Sequence, residues 1–364
     1  MDERMQDMIV SANQLVAGCI VTADVIGKSG MPLVKSKTVL TDTEIFYLQK
    51  MLVKEITVAS HLENGSSFVP EKDSVRVQPA IIQVHFLDAY AAAAEGYQKQ
   101  FNAWQHGSAV DIAALRKHIL PVLEKVSEWE GNVFNLPSYR KQIDYLSEHA
   151  AGTAALVAAV LQKAGFSEAD IKQIGLAAYL ADCGMAKLKQ PYHIQKRRLH
   201  DSDWDDVHKH PTFSYRMVEQ ASLLSSKAKL AILQHHERAD GAGYPLRLPK
   251  EKIHSFASLL SICDTYHALI SERAFRVAVS PYEAVDIILE EQFRQFDPAM
   301  IQHFTQAFVD AQQNTTVRLS SGELAEIVFT DSNHPTRPMV REQETGQVKA
   351  LTEIPQIRIE KIIS

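Results

Sequence analysis

The sequence predicts a mainly α protein: a helical bundle flanked by a small N-terminal α+β module and a small C-terminal β module. Three observations carry this. Between about 78 and 312 the apolar residues recur at helical spacing, before about 75 short β-branched runs alternate with turn residues, and after Gln313 the period shortens to two. With 364 residues and 46% apolar side chains, the chain is long enough to bury a sizeable core.

In order, residues 1–75 read as the small α+β module. CIVTADVIG and KSGMPLV are strand-like, TDTEIFYLQKML and KEITVAS follow, and HLENGSSFVPEKDS is a linker or a hairpin tip around Asn64-Gly65. Residues 76–135 read as bridging helices, AIIQVHFLDAYAAAAEGYQKQF and AALRKHILPVLEKVSEWE, broken at QHGSA; their apolar faces suggest a homodimer. Residues 136–312 form the main helical domain, with one helix opened by Ser167 and Asp170 in a capping-box pattern. Residues 313–364 are β-rich: TTVRLSSGELAEIVFT is a hairpin turning at Ser-Gly, continued by PTRPMVREQ, QVKALT and QIRIEKI.

A net charge of −6 argues against a nucleic-acid polymer as partner, since phosphate backbones are held by positive surface. Cys19, Cys183 and Cys263 are odd in number and widely spaced, so neither a disulfide framework nor a structural zinc site is indicated. The charged start MDERMQDMIV and the absence of an 18-residue apolar run point to a cytoplasmic chain without a membrane span.

The most informative window is His235-His236-Glu237-Arg238-Ala239-Asp240-Gly241-Ala242-Gly243-Tyr244-Pro245. Adjacent histidines at a helix end, before a glycine-rich turn, can aim both imidazoles at one metal. Taken alone, such a pair also fits a solvent-exposed or structural role. Further candidate ligands lie at His149 in SEHAAG, Asp182 in LADCG, His210 in HKHP and Asp264 in SICDTYHAL.

Together these motifs, from about Tyr139 to Asp310, resemble the HD-GYP branch of the HD phosphohydrolase superfamily, which is associated with hydrolysis of cyclic di-GMP. The resemblance implies a metal site of His149, Asp182, His210, His235, His236 and Asp264. Asp182 would be the central catalytic ligand, bridging one sphere of His210, His235 and His236 and a second of His149 and Asp264. It also implies one or two divalent ions, iron or manganese first and zinc as the further candidate. The ligand would be cyclic di-GMP or a related cyclic dinucleotide, bordered by Gly243, Tyr244 and Pro245 and gripped by Arg273 and Arg276, with Tyr244 stacked on or beside a guanine.

The pattern is broken at three places. Ala181 stands where the dyad histidine belongs, and Met185 stands at the lysine position of HD-x-G-K, with Lys187 two residues further on. Tyr145 stands where some members carry a glutamate for a third metal. His193 would compensate for Ala181 only if the PYHIQK loop folded inward. The resemblance therefore implies either a metal-dependent phosphodiesterase of reduced activity or a catalytically inactive receptor for the dinucleotide.

Overall fold

In a computed structural model the described residues are 7–26, 32–41, 44, 45, 48, 53, 55–70, 85–129, 131–139, 144–195, 197, 199–273, 277–292 and 295–363. The chain divides into two compact units, Met1–Ile82 and Gln83–Ser364.

In the first unit, β1 (Asp7–Val10), β2 (Cys19–Val21), β3 (Val25–Ile26), β4 (Pro32–Val34) and β5 (Ile56–Leu62) make two small antiparallel sheets, ordered β1-β5-β2 and β3-β4. Alternation along ITVASHL turns Ile56 and Val58 into a core with Val10, Cys19, Val21 and Leu40. HLENGSS is a hairpin tip: the chain turns at Asn64-Gly65, Gly65 takes φ +80°, and His61 pairs with Ser67.

The second unit is built around α3 (Tyr145–Lys163). Asp144 caps it by accepting from the Ser147 amide at 3.0 Å, and its run of alanines, with Gly152, lets neighbouring helices approach closely. Against it pack α1 (Phe86–Gln105), α2 (Ile112–Lys125), α4 (Glu168–Leu180), α8 (Ser255–Ile270) and α10 (Pro298–Ala311). Ser167 caps α4, accepting from the Asp170 amide at 3.1 Å and donating to the Asp170 carboxylate at 2.8 Å. Between α4 and α8 come three short helices, α5 (Asp201–Val207), α6 (His210–Val218) and α7 (Ser226–Gln234), and α9 (Pro281–Gln292) precedes α10.

The helices expected to bridge do not stand apart. Phe86, Tyr90, Tyr97, Trp104, Leu115 and Ile119 of α1 and α2 are buried in the same core as α3 and α4. The apolar faces read as a surface for a second copy are thus covered within the chain, because amphipathicity shows that a face is buried but not against what.

The C-terminal segment forms a five-stranded antiparallel sheet of β6 (Thr316–Leu319), β7 (Leu324–Phe329), β8 (Met339–Glu342), β9 (Val348–Ala350) and β10 (Ile359–Ile362), ordered β10-β6-β7-β8-β9. The β6–β7 hairpin turns through Ser321-Gly322, with Gly322 at φ +97°. Val317, Ile327, Val340, Ile359 and Ile362 join the helical core. All three cysteines are buried free thiols. Among the described residues, no helix is long and apolar enough to cross a membrane.

Beneath the site, Phe134, Tyr266, Phe304 and Phe308 pack edge to face at centroid separations of 5.3–6.5 Å, and the Tyr266 hydroxyl donates to the Phe134 carbonyl at 2.7 Å. Phe304→Ala is expected to cost about 3–5 kcal/mol of stability, read as a lowered urea midpoint for the helical unit.

Candidate metal centre

Helix ends deliver most of the candidate ligands. Ala181 is the C-cap of α4 and Asp182 follows it; His210 opens α6; His235 is the C-cap of α7, with His236 next. His149 and Asp264 project from within α3 and α8. The ligand atoms of Asp182, His210, His235 and His236 all lie within 4.8 Å of one another, as do those of His149, Asp182 and Asp264. All six sequence-derived ligands are therefore brought together, in two sets that share Asp182.

Backbone carbonyls orient two of the imidazoles. His210 Nδ1 donates to the Val207 carbonyl and His235 Nδ1 to the Ile232 carbonyl, each at 2.7 Å. A carbonyl can only accept, so Nε2 is the nitrogen left to face the centre. The His210 Nε2 is 3.1 Å from Asp182 Oδ1 and 3.4 Å from the His235 Nε2, which itself lies 3.7 Å from Oδ1. Converging imidazole nitrogens around a carboxylate suit a divalent cation of intermediate softness, and the paired carbonyl bonds are the outer support that histidine ligands use.

Asp182 Oδ2 turns the other way, 3.7 Å from His149 Nε2, which lies 2.7 Å from Asp264 Oδ1. The donor set on this side also fits a divalent cation, but Ala181 leaves it without an imidazole from the dyad position.

Electrostatics follow from burial opposed by close partners. Burial alone would raise the Asp182 carboxyl, but hydrogen bonds from His210 and His235 and the nearby His149 hold it well below the usual carboxylate range. Burial also works against ionised Asp264, yet His149 brings its pKa down to about 2. Burial and neighbouring His235 push His236 well below the ordinary imidazole value, leaving it neutral as a ligand must be.

The loop after the histidine pair is tied back tightly. Tyr244 N donates to the His236 carbonyl at 3.0 Å, and Tyr244-Pro245 is a cis peptide. A Cβ on Gly243 would lie 2.4 Å from the Arg238 nitrogen and 2.6 Å from the His236 carbonyl oxygen, so only glycine fits. Tyr244 stacks on both His208, at 4.0 Å, and His236, at 4.7 Å. Imidazoles of this chain thus occupy its ring, and its edge and hydroxyl are the parts they leave uncovered.

Arg273 lies over the Tyr145 ring at 4.3 Å and donates from Nη2 to the Tyr145 hydroxyl, while Tyr145 stacks on His149 at 5.2 Å. The tyrosine at the third-metal position thus links the arginine to the second ligand set. Arg276 lies outside the described residues. Met185 packs against the core, and Lys187 does not replace the expected lysine, since its Nζ donates to the Trp104 carbonyl on α1 at 2.6 Å. His193 packs edge-on to Phe101 at 5.3 Å and belongs to neither ligand set, so it does not substitute for the dyad histidine.

Several supporting residues escaped sequence reasoning. Ser214 donates to the Ala181 carbonyl at 2.6 Å and accepts from Gly184 N at 2.8 Å, clamping the turn that carries Asp182. Glu237, buried inside HHER, accepts from the amides of Leu246 and Leu248 at 2.6 and 2.9 Å and closes the GYP loop. His267, three residues beyond Asp264 on α8, lies against His149; the i, i+3 spacing was the available signal.

Residues 138–300 match the model of the family described as HD domain. The chain is 26% identical to the cyclic di-GMP phosphodiesterase PA4108 of Pseudomonas aeruginosa, over 75% of this chain and 65% of that protein. It is 26% identical to a cyclic di-GMP phosphodiesterase of Thermotoga maritima, over 51% of this chain and 48% of that one. It is likewise 26% identical to the 3'3'-cGAMP-specific phosphodiesterase 3 of Vibrio cholerae, over 44% of this chain and 36% of the relative. The chain thus spans at most about two thirds of the length of these relatives. The solved structure of Bd1817, a HDG"Y"P protein from Bdellovibrio bacteriovorus, superposes with a TM-score of 0.50 at 15% identity, covering 82% of this chain and 98% of that one; it shares the fold.

Two outcomes are expected here. Glu237→Ala leaves the Leu246 and Leu248 amides unpartnered, at about 1–3 kcal/mol each, and hydrogen exchange at those two amides should accelerate in the variant. Because Asp264 titrates below an unfolded carboxyl of about 3.9, it stabilises the fold above that pH and ceases to as pH falls toward about 2. Acid titration of the metal-free protein should show this loss, and Asp264→Asn should flatten it. Residues 138–300, with the GYP loop intact and alanine in place of the dyad histidine, are thus similar to the HD domain family.

Proposed function

We propose that this chain is a metal-dependent phosphohydrolase-like protein of cyclic di-GMP signalling, acting in the cytoplasm on the phosphodiester of the cyclic dinucleotide with activity lowered by Ala181 and Met185. The observation that carries the reading is the convergence of His210, His235 and His236 on Asp182 beside the GYP loop. The names of the curated relatives, cyclic di-GMP and cGAMP phosphodiesterases, support the substrate class.

In this reading His210, His235, His236 and Asp182 hold one divalent ion, and His149, Asp182 and Asp264 a second, weaker one. Mixed imidazole and carboxylate ligation favours iron or manganese, with zinc the further candidate. Bound ions neutralise phosphodiester oxygens and lower the pKa of a coordinated water. Asp182 directs one oxygen to each set and so holds the spacing between them. Arg273 supplies a planar guanidinium for a phosphate oxygen, and the edge of Tyr244, with Gly243 and Pro245, borders the ligand. Arg276 is assigned the same phosphate contact from the sequence pattern alone.

A second reading has its own support. The second set lacks one imidazole, Met185 supplies no cation, and Lys187 is committed to α1. An inactive receptor that binds the dinucleotide is the outcome if these losses abolish turnover.

Elemental analysis of anaerobically purified protein, with a cyclic di-GMP hydrolysis assay on the same sample, separates the readings. The enzyme gives two ions per chain and a linear dinucleotide. Asp182→Asn should remove both, and Ala181→His should raise turnover about 10–100-fold. Saturable dinucleotide binding with one ion and no product establishes the receptor instead. A chain that takes up neither metal nor dinucleotide contradicts both.

A further inference from the structure

The second ligand set has lost an imidazole at Ala181, yet a fifth histidine stands immediately behind it. His267 lies one helical turn beyond Asp264 on α8, 1% exposed, and its Nδ1 is 3.1 Å from the Nδ1 of His149. The two rings meet edge on at 5.1 Å. His267 is in neither ligand set, so it does not restore the missing ligand.

The geometry points to His267 as the positioning residue of the second ligand set: its Nδ1 holds the His149 ring and fixes the tautomer that turns Nε2 toward Asp182 and Asp264. The inference rests on the metal-site reading above and extends it.

Two nitrogens 3.1 Å apart share one proton. When His149 Nε2 gives its lone pair to a cation, Nδ1 must carry that proton, and His267 Nδ1 accepts it. The Ser271 hydroxyl lies 3.2 Å from the same His267 nitrogen. Accepting that proton is the role that the Val207 and Ile232 carbonyls fill for His210 and His235 in the first set. His149 lies within α3, and here an imidazole from α8 serves instead of a backbone carbonyl.

Two further observations separate this from packing. Among the described residues His267 Nε2 is buried with no hydrogen-bond partner, an arrangement that an apolar side chain would avoid. The space for the ring is also specifically made: a Cβ on Gly152 of α3 would lie 2.0 Å from His267 Nε2 and 2.4 Å from Cδ2. A helix otherwise rich in alanine thus carries glycine where the ring crosses it.

The test is zinc titration of the full chain followed by calorimetry, with Asp264→Asn marking which binding event belongs to the second set. His267→Leu keeps the bulk and removes the acceptor; His267→Asn restores an oxygen near the Nδ1 position. The second event should weaken about 10–100-fold in His267→Leu, recover in His267→Asn, and weaken in Gly152→Ala, where the ring is displaced without being altered. The first event should stay unchanged in all three. Nitrogen-15 spectra of the zinc-loaded wild type should show His149 protonated at Nδ1. An unchanged second event in His267→Leu, or equal weakening of both events, overturns the positioning role and leaves the metal site standing. A wild-type chain with no Asp264-dependent event overturns the two-set reading and this inference with it.

Discussion

The two ligand sets of this site meet on one largely buried carboxylate. Asp182 sits within reach of His149, His210 and His235, and its ionised form survives burial only because imidazoles approach it from both sides. An isolated carboxylate in that position would be neutralised. Keeping it charged requires the start of α6 and the end of α7 to meet the turn after α4, and Ser214 locks that turn to α6. The helical packing is the means by which three distant stretches of sequence surround one charge.

The asymmetry of the two sets follows from their supports. His210 and His235 hold their own backbones, since each ring donates to a carbonyl three residues earlier. Their orientation is a local property and survives change elsewhere. His149, by contrast, relies on Asp264 and His267 from α8, and on Tyr145 one turn earlier on its own helix, over which Arg273 lies. The depleted side of the site is also the side whose geometry is held by tertiary packing.

Much of this was legible in the amino-acid sequence where the determinants are local. Helical periodicity located the bundle, Ser167 marked the start of α4, and Ser321-Gly322 marked the β6–β7 turn. The ligands were readable because each sits in a short motif. What was not legible is pairing across distance. Nothing in the period of α1 shows that it lies against α3, and nothing near Thr316 shows that β10 returns to pair with β6. The stacking of His208 on Tyr244 and the contact of His267 with His149 join residues far apart in the chain; the spacing of His267 from Asp264 put it on the ligand face of α8 but did not name its partner. Glu237 was visible as a residue, but its role depends on where Leu246 and Leu248 turn their amides.

The bond from Lys187 to the Trp104 carbonyl has a mechanical meaning beyond the loss of a phosphate-facing cation. Trp104 closes α1, and Lys187 closes the short turn that begins at Asp182. Tyr97 packs edge to face with both Trp104 and Tyr179 of α4, so this end of α1 is held by ring packing as well as by the lysine. The helix that opens this unit is therefore tied to the turn that carries Asp182, and Lys187 is the tie.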